Sequence, residues 1–283
     1  MNGSAAAAAL TGRTAGSARQ VSADLTEVVL DGRDTVLVKR GHGPNATRAE
    51  AAGLRWLAEP AAVRVPAVLG SDENWLVIPR IETGRAGPAA AEEFGRGLAA
   101  LHAAGAPAFG AAPPAGPVDA WIGGAPMRNV PGPNWPEWYA EHRLRPYLRR
   151  AVDEGTLGRD AAATVEEVCV RLPQLAGPAE PPARLHGDLW AGNVLWGADG
   201  HVWLIDPAAH GGHRETDLAM LRLFGCPHLD RVLAAYQEAA PLAEGWPGRV
   251  ALHQLFPLLV HAVLFGGGYA GQVLAAARSA LKP

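Results

Sequence analysis

The sequence predicts an α+β fold of two lobes, a small β-rich lobe at the N-terminus and a larger, mainly helical lobe after it. Short runs rich in β-branched residues, separated by turn signals, fill the first third of the 283 residues. From Pro88 onward the apolar residues recur at helical spacing instead. A hydrophobic content of 48% is enough for a sizeable core. We therefore expect lobes at residues 1–80 and 81–283, with residues 1–20 as a flexible tail.

The first lobe contains four short apolar runs that predict strands: TEVVL, TVLVKR, RVPAVLG and NWLVIPRI. The first two flank DGRD, whose Asp-Gly pair is a strong turn signal, and so predict a β-hairpin. Between the second and third runs, NATRAEAAGLRWLAE has apolar residues at helical spacing. Asn45 stands before this helix as its expected N-cap.

The second lobe begins with a predicted helix, AAAEEFGRGLAALHAAG, which ends at a C-cap glycine, Gly105. Three Pro- and Gly-rich stretches cannot continue a helix and are expected to be loops: GAPAFGAAPPAGP, RNVPGPNWP and AGPAEPPA. Near the C-terminus, ALHQLFPLLVHAVLFGGG is strongly apolar, but it contains polar histidines and is shorter than the roughly 20 residues that span a bilayer. We expect a buried helix, kinked at Pro257.

Charge and cysteine content exclude several classes of protein. The formal net charge is −3, the isoelectric point is about 6.4 and no basic block occurs, which disfavours nucleic-acid or anionic membrane partners. The two cysteines, Cys169 and Cys226, lack the spacing of metal ligands and suit a reducing cytosol. The N-terminal Ala run has no basic residues before it and is too short for a secretory signal. We expect a cytoplasmic protein. The sequence does not determine the oligomeric state, for which a monomer is the expectation.

The most informative stretch is RLHGDLWAGNVLW, which HVWLIDPA follows. It sets Asn193 five residues after Asp188, and Asp206 at the end of the next strand-like run. Mg²⁺ prefers oxygen ligands, and phosphoryl transfer also needs a carboxylate that accepts or orients the proton of the acceptor hydroxyl. His-Gly-Asp alone is commonly a turn. The joint spacing instead predicts phosphoryl transfer from ATP, with Asp188 as the base and with Asn193 and Asp206 as metal ligands.

Lysine is almost absent from this chain, which makes one lysine informative. Only Lys39 and Lys282 occur, so arginine serves wherever a surface cation is needed. Lys39 lies in the strand pattern TVLVKR, where its ammonium can bind phosphates as a point charge, and Glu50 in the following helix can hold it by pairing. A solvated lysine that protects an edge strand is the alternative.

Three separated motifs resemble the fructosamine kinase family, within the wider aminoglycoside phosphotransferase-like kinases. They are LHGDLWAGNVLW, LIDPAAHGGHRETDLAMLRLFG and DAWIGGAPMRNVPGPNWPEWYAEHRLRPYL, and they occur in the family's order. The HGD and Asn pattern indicates only the superfamily, whereas Trp190 and the run GGHRETDLAM narrow the resemblance to fructosamine kinases. The resemblance implies a protein-kinase-like fold of two lobes that binds Mg²⁺ and ATP in its cleft.

The resemblance also implies roles for individual residues. Asp188 is then the catalytic base and Asn193 and Asp206 the metal ligands. The resemblance assigns Lys39, with Glu50, to the phosphates of ATP. It assigns Ile78, Pro79 and Ile81 to the adenine, and Asp217 to the support of the catalytic loop. Pro79 has no N–H, but only its carbonyl is needed there. A simple first-turn acid of a helix is the alternative for Asp217.

The phosphate loop departs from the family pattern. Where the family has paired glycines, the aligned stretch QVSADLTEV has Ser22 and Ala23. Glycines allow backbone amides to approach phosphates closely, so their absence is expected to weaken ATP binding or to move the loop. We expect the hydroxyls of Ser22 and Thr26 to compensate in part.

The acceptor that the resemblance implies is the 3-hydroxyl of a ketosamine, such as a fructosamine or ribulosamine, free or protein-bound. Trp190 is the expected substrate contact among the loop tryptophans, since an indole can stack on a sugar face. His210, His213 and Arg214 follow the second metal ligand closely and are further candidates for the acceptor pocket, although Arg214 can also pair with Glu215 or Asp217.

Three other functions compete with this interpretation. One is phosphorylation of another hydroxylated amine, such as an aminoglycoside or a choline-like compound, and acidic clusters that would favour it are absent from the second lobe. Another is a catalytically silent binding module, which the altered phosphate loop suggests. The last is a metallohydrolase that uses His186, Asp188, His201 and His213, but no HxH or HExxH pair occurs.

Overall fold

The computed structural model describes residues 1–282 and confirms the two lobes. The elements of the first lobe are helix α1 (Gly3–Thr11), strands β1 (Ala15–Ser22), β2 (Leu25–Leu30) and β3 (Asp34–Arg40), helix α2 (Ala46–Ala58), and strands β4 (Gly70–Ser71) and β5 (Trp75–Pro79). The strands form one antiparallel sheet in the order β1-β2-β3-β5-β4. The segment 80–87 then connects β5 to the helical lobe, and the predicted lobe boundary falls at its start.

The β2–β3 hairpin forms at the predicted turn. Asp31 and Gly32 have φ angles of 50° and 71°, a left-handed pair that matches the twist of the two strands. Alternate residues of β2 are buried, and the face that Thr26, Val28 and Leu30 share is turned toward α1.

The prediction of a flexible tail at residues 1–20 is wrong. Residues 3–11 form α1, which the Asn2 side chain caps by accepting from the Ala5 amide, and residues 15–20 belong to β1. Ala6 and Ala7 are fully buried against the sheet. Alanine has the highest helix propensity, and its small side chain lets the helix pack closely on the strands. The Ala run is therefore a helix that covers one face of the sheet.

Two smaller predictions in this lobe also need correction. Asn45 precedes α2, but its backbone is left-handed (φ 62°) and its side chain makes no capping hydrogen bond. The run RVPAVLG gives only the two-residue strand β4, because Pro66 has no amide for a ladder and the chain before Gly70 is irregular. Arg64 makes a single bridge to Trp203 in the other lobe.

The second lobe is mainly helical, with three two-stranded sheets. Its helices are α3 (Pro88–Ala103), α4 (Trp135–Tyr139), which continues through a π-helical turn (Ala140–Leu144) into α5 (Arg145–Asp153), and α6 (Arg159–Leu175), α7 (Glu215–Leu223), α8 (Leu229–Ala239), α9 (Trp246–Phe265) and α10 (Ala270–Ala280). Its strands are β6 (Asp119–Ile122), β7 (Ala125–Arg128), β8 (Ala183–Leu185), β9 (Val194–Trp196), β10 (Val202–Leu204) and β11 (His210–Gly212). The pairs are β6 with β7, β8 with β11 and β9 with β10.

Part of one predicted loop is helical. The stretch RNVPGPNWP contains the start of α4, because Asn134 caps it by accepting from the Glu137 amide and Pro136 lies in the first turn, where no intrahelical amide is needed. The stretch at residues 105–117 contains no helix or strand, as predicted, and AGPAEPPA (residues 176–183) is irregular up to Ala183, where β8 begins.

Helix α9 lies at the centre of the larger core. Leu255, Phe256 and Leu259 are buried among residues of α4 to α6 and α10. Among the described residues, α9 is the one helix long and apolar enough to span a membrane, but 56% of that window is buried inside the protein, as in a core helix. Pro257 lies inside it.

Candidate active site

The segment between β8 and β10 brings together the side chains that the HGD motif predicted. After β8 the chain turns through Gly187, whose φ is 83° and whose Cα has no room for a side chain beside the Ala208 carbonyl. The β9–β10 hairpin then returns the chain, so that the Ile205 amide donates to the Asn193 carbonyl at 3.1 Å. Asp188, Asn193 and Asp206 all line one cleft of about 470 Å³ between the lobes.

Asn193 fixes the carboxylate of Asp188. Its Nδ2 donates to the Asp188 carbonyl at 2.8 Å and to Asp188 Oδ2 at 3.1 Å. Burial raises the pKa of Asp188 to about 7, and the nearby carboxylates of Asp206 and Asp217 act in the same direction, against the hydrogen bond from Asn193. Such a carboxyl is a stronger proton acceptor than an ordinary aspartate at neutral pH.

Asp217 lies beneath the catalytic loop and not in the cleft. Its carboxylate accepts from the His186 and Gly187 amides at 2.8 and 3.0 Å, and His102 Nε2 lies 3.2 Å away. Burial raises the pKa of Asp217, but its hydrogen bonds and the two imidazoles outweigh burial and lower the pKa. The geometry is that of a brace that holds the backbone before Asp188.

Lys39 lies between two carboxylates. Its Nζ donates to Glu50 Oε1 at 2.5 Å and to Asp206 Oδ1 at 2.8 Å. Burial lowers the pKa of Lys39, but the two carboxylates outweigh it and keep the pKa above its ordinary value. The pKa of Glu50 is raised because burial outweighs its pairing with Lys39.

The donor set at this end of the cleft fits Mg²⁺. Asn193 uses its amide nitrogen on Asp188, so that within residues 1–282 no hydrogen bond engages its amide oxygen. The Asp206 side chain is 46% exposed in the cleft and has a left-handed backbone (φ 53°). The site thus offers one amide oxygen and one carboxylate oxygen. Mg²⁺ commonly takes one or two protein ligands of this kind and fills its other positions with phosphate and water.

The phosphate loop is only partly arranged as predicted. Ser22 ends β1 and lines the cleft, and Ala23 lies in the turn before β2. The expectation for Thr26 is wrong: its hydroxyl donates to Gln20 Oε1, and its side chain lies against Gly3 of α1. Thr26 shares a strand face with Val28 and Leu30, so the period of two along β2 already pointed it away from the phosphates.

The residues expected at the adenine lie beside the cleft. Ile78 is 3% exposed and packs with Ala51, Leu54 and Leu76. Pro79 pairs with Val36 at the end of β5, and Ile81 follows in the connection between the lobes. None of the three lines the cavity that contains Asp188, so their contact with adenine stays a prediction.

The structure contradicts the assignment of His210, His213 and Arg214 to the acceptor pocket. The reason is β11, which pairs with β8 and carries the chain behind the catalytic loop. His213 is 3% exposed, and Arg214 forms a two-pronged ion pair with Glu180 at 2.7 and 2.8 Å. The His210 ring is also buried, with Nδ1 2.8 Å from the Ala208 carbonyl. Neither predicted partner of Arg214 is the observed one.

The loop tryptophans divide into two pairs. Trp190 is 39% exposed and lines the cleft, as does Trp121, whose indole N–H donates to the Pro44 carbonyl of the other lobe at 2.8 Å. Trp135 and Trp138 are each 4% exposed and belong to the core.

The histidines do not form the metallohydrolase site. His186 Nε2 lies 2.9 Å from the Ile205 carbonyl, and His201 pairs with Glu93. Within residues 1–282 the one group with metal-ligand proximity is His213, Glu215 and His253. Arg249 already holds both oxygens of Glu215, and the Glu215 amide donates to Nδ1 of His213, which leaves that ring's Nε2 protonated in the neutral form.

The cleft also contains residues that sequence reasoning missed. Asp24 lies next to Ser22 and Ala23 and places a carboxylate in the phosphate half of the cleft. His261 and Phe265 enter from the last turns of α9. Asp24 could have been predicted from the sequence, because it lies in the phosphate loop. His261 and Phe265 could not, because the position of α9 beside the cleft depends on tertiary packing.

The comparisons with known proteins agree with this architecture. The family model described as fructosamine kinase matches residues 14–282. A Thermobifida fusca structure described as a "putative fructosamine-3-kinase" is 49% identical, with a TM-score of 0.92 over 99% of this chain and 98% of its own. A macrolide 2'-phosphotransferase type I, 19% identical with a TM-score of 0.64 over 98% of this chain and 95% of its own, shares the fold alone.

Curated relatives cover most of the chain as well. "Probable ketoamine kinase" of Thermus thermophilus is 36% identical over 250 residues, which are 88% of this chain and 87% of the relative. Protein-ribulosamine 3-kinase, chloroplastic, of Arabidopsis thaliana is 31% identical over 251 residues, 83% of this chain and 72% of the relative. With the family model over nearly its whole length, this chain belongs to the fructosamine kinase family.

Proposed function

We propose that this chain is an ATP-dependent ketosamine kinase that transfers the γ-phosphoryl group to a sugar hydroxyl. The observation that carries the proposal is the convergence of Asp188, Asn193 and Asp206 with the Lys39–Glu50 pair in one interlobe cleft of a fructosamine kinase family member. Phosphoryl transfer depends mainly on positioning and on charge stabilisation, and this set supplies both.

Asp188 takes the proton of the acceptor hydroxyl. Asn193 holds the carboxylate through its amide nitrogen, and Asp217 holds the preceding backbone, so the base is fixed before the acceptor binds. Burial raises the pKa of Asp188 to about 7, and a general base works best when its pKa lies near the working pH. Asp188 is therefore suited to accept the hydroxyl proton near neutral pH.

Lys39 binds the phosphates of ATP, with Glu50 holding its ammonium in place. Asn193 and Asp206 would hold Mg²⁺, which supplies neutralisation of the charge that develops on the phosphate oxygens. Ile78, Pro79 and Ile81 are assigned to the adenine. Lys39 Nζ donates to Asp206 Oδ1 at 2.8 Å, so a Mg²⁺ held by Asp206 would lie at the same end of the cleft as the ammonium.

The acceptor is assigned from the relatives. Those named protein-ribulosamine 3-kinase and ketosamine-3-kinase support the 3-hydroxyl of a ketosamine, a fructosamine or ribulosamine, as the site of transfer. Phosphorylation there makes the sugar adduct labile, which is a repair reaction for glycated amines. We assign the enzyme to the cytoplasm, as a monomer, with Trp190 on the acceptor.

A panel assay tests this function. ADP release is measured with Mg²⁺ and ATP over fructosamines, ribulosamines, an aminoglycoside, choline and plain sugars, and the product is located by ³¹P-coupled NMR. We expect turnover on ketosamines with phosphate on O3. Faster turnover on an aminoglycoside or on choline would show that this compound class, and not the ketosamines, is the acceptor. No turnover together with no ATP binding by calorimetry would identify a silent module.

A further inference from the structure

Aromatic rings line the cleft on the side of α9. Trp190, Phe224 and Phe265 are 39%, 37% and 66% exposed, which is unusual for large apolar side chains. With His261 they form a continuous series whose successive ring centroids are 6.1, 4.9 and 5.4 Å apart, from Trp190 through Phe224 and His261 to Phe265. We name these four residues the aromatic wall.

The aromatic wall is continuous with the catalytic groups. Trp190, His261 and Phe265 line the same cavity as Asp188 and Asp206. Trp190 follows Asp188 by two residues, and its indole lies directly over Gly192, where a β-carbon would come within 2.2 Å of the ring. The glycine therefore lets the indole fold back over the chain, in the cavity that Asp188 also lines.

The wall presents no charge. The charged residues that line the cleft belong to the phosphate loop, β3, α2 and the catalytic segment: Asp24, Lys39, Arg40, Glu50, Asp188 and Asp206. The residues that α9 contributes to the cleft are Val260, His261, Leu264 and Phe265. Burial lowers the pKa of His261, so its ring is neutral at pH 7.

We infer that the aromatic wall binds the amine-side substituent of the ketosamine and selects acceptors in which that substituent is apolar or aromatic. The inference rests on the proposed function. With the acceptor hydroxyl at Asp188, the amine lies only two carbons along the sugar, so its substituent must lie close to the side chains that surround Asp188. Exposed rings gain by covering apolar groups, and uncharged rings supply no counter-charge to a carboxylate.

Two acceptors that differ only in this substituent test the inference. They are the N-(1-deoxyfructosyl) derivatives of benzylamine and of methylamine, which carry the same sugar and the same secondary ammonium. We expect kcat/KM for the benzyl compound to be at least about tenfold higher, as for an added apolar group in a hydrophobic site. Phe265→Ala should reduce this ratio at least about threefold. Val170→Ala is the matched control, since Val170 is also 66% exposed but lies on α6, away from the cleft.

The possible results separate the inference from the function on which it rests. Turnover of both compounds with a ratio near one, or a ratio that Phe265→Ala leaves unchanged, would overturn the inference and leave the kinase function standing. Turnover of neither compound would overturn the inference, and it would overturn the function as well only if the ribulosamines of the panel assay also fail. Light scattering gives the third outcome: a wild-type dimer that Phe265→Ala dissociates would assign the rings to a second copy of this chain and would also overturn the inference.

Discussion

The ammonium of Lys39, on the sheet of the first lobe, donates to the carboxylate of Asp206 in the second lobe at 2.8 Å. This ion pair crosses the cleft at the point where the triphosphate is proposed to lie. Glu50 holds the same ammonium from α2, so that one cation serves two carboxylates. The ion pair therefore links the two lobes and fixes the position of the Lys39 ammonium relative to the Asp206 carboxylate.

Replacing Lys39 by methionine should separate its electrostatic role from its structural role. We expect kcat/KM for ATP to fall at least about 100-fold, as when a group that stabilises developing charge is removed. Glu50 is then buried without its partner, which should lower the free energy of unfolding by about 3 kcal/mol. Steady-state kinetics and urea unfolding measure the two effects.

The double variant Lys39→Met/Glu50→Gln is the control for this prediction. It removes the unpaired buried charge, so most of the lost stability should return while activity stays low. Equal stability of the single and double variants would show that Glu50 does not depend on Lys39.

Asp188→Asn should lower kcat by a factor of about 10²–10⁴, because the variant cannot accept the hydroxyl proton. Its effect on stability should have the opposite sign. Burial raises the pKa of Asp188 from 3.8 to about 7, so the folded enzyme loses stability as pH rises from about 4 to 7 and the carboxylate ionises. At pH 8, without Mg²⁺ and ATP, the variant should melt at a higher temperature than the wild type.

At pH 5 this gain should be smaller, and it should vanish only below about pH 4, where the carboxyl is neutral in both the folded and the unfolded chain. Asp153→Asn removes an exposed carboxylate at the end of α5 and should change the free energy of unfolding by no more than about 0.5 kcal/mol at either pH. A melting temperature of Asp188→Asn that is lower at pH 8 than that of the wild type would contradict the buried, ionised carboxylate.

The catalytic segment was predictable because its geometry is local. Register between β9 and β10 places Val194 opposite Leu204, and this pairing alone brings Asn193 beside Ile205 and Asp206. Spacing in the sequence thus determines proximity in space. The same applies to the β2–β3 turn, where Asp31 and Gly32 supply the left-handed backbone.

The wrong predictions depend on contacts that are distant in the sequence. Helix α1 is stable because Ala6 and Ala7 lie on the sheet, a packing that the Ala run does not reveal by itself. Arg214 follows Asp206 closely in the sequence, yet Glu180 is its partner, and β11, which precedes it, pairs with β8. Thr26 is different, since strand alternation along β2 is sufficient to place its side chain on the face of Val28 and Leu30.

Asp24 should weaken ATP binding, because its carboxylate lies in the half of the cleft that the triphosphate occupies in the proposed function. We expect Asp24→Asn to lower the Michaelis constant for ATP about two- to fivefold at low ionic strength. The turn itself should persist, since it is the Asp24 carbonyl that accepts from the Arg40 amide at 2.7 Å.

Salt provides the control for this prediction. The difference between Asp24→Asn and the wild type should shrink at 0.5 M NaCl, where charges are screened. A difference that salt leaves unchanged would indicate a steric effect. Ser22→Gly/Ala23→Gly tests the loop backbone separately, and an unchanged Michaelis constant there would mean that the missing glycines do not limit ATP binding.

Buried histidines should make the free energy of unfolding fall as pH decreases from 7.5 to 5.5. Burial lowers the pKa of His213 and His253, whereas the unfolded chain has the ordinary value near 6.5. Unfolding therefore takes up protons below pH 6.5, and each such histidine reduces stability by up to about 1.4 kcal/mol per pH unit. Asp188 acts against this trend over the same range, since its raised pKa favours the folded state at low pH.

Urea unfolding at pH 7.5, 6.5 and 5.5 in Asp188→Asn removes one opposing carboxyl, and Glu50, whose pKa is also raised by burial, is the opposing carboxyl that stays. Glu215 does not contribute in this window: its pKa is lowered to about 2, so the stability it adds is present above pH 4.5 and is lost only as pH falls further. Burial also lowers the pKa of His186 and His210, so a free energy of unfolding that stays constant or rises toward pH 5.5 would contradict neutral buried histidines in the folded protein, His213 and His253 included. The His253 ring would then be a cation stacked on Trp135, with the Glu215 carboxylate as its counter-charge, and the His213 ring a cation in tilted contact with the same indole.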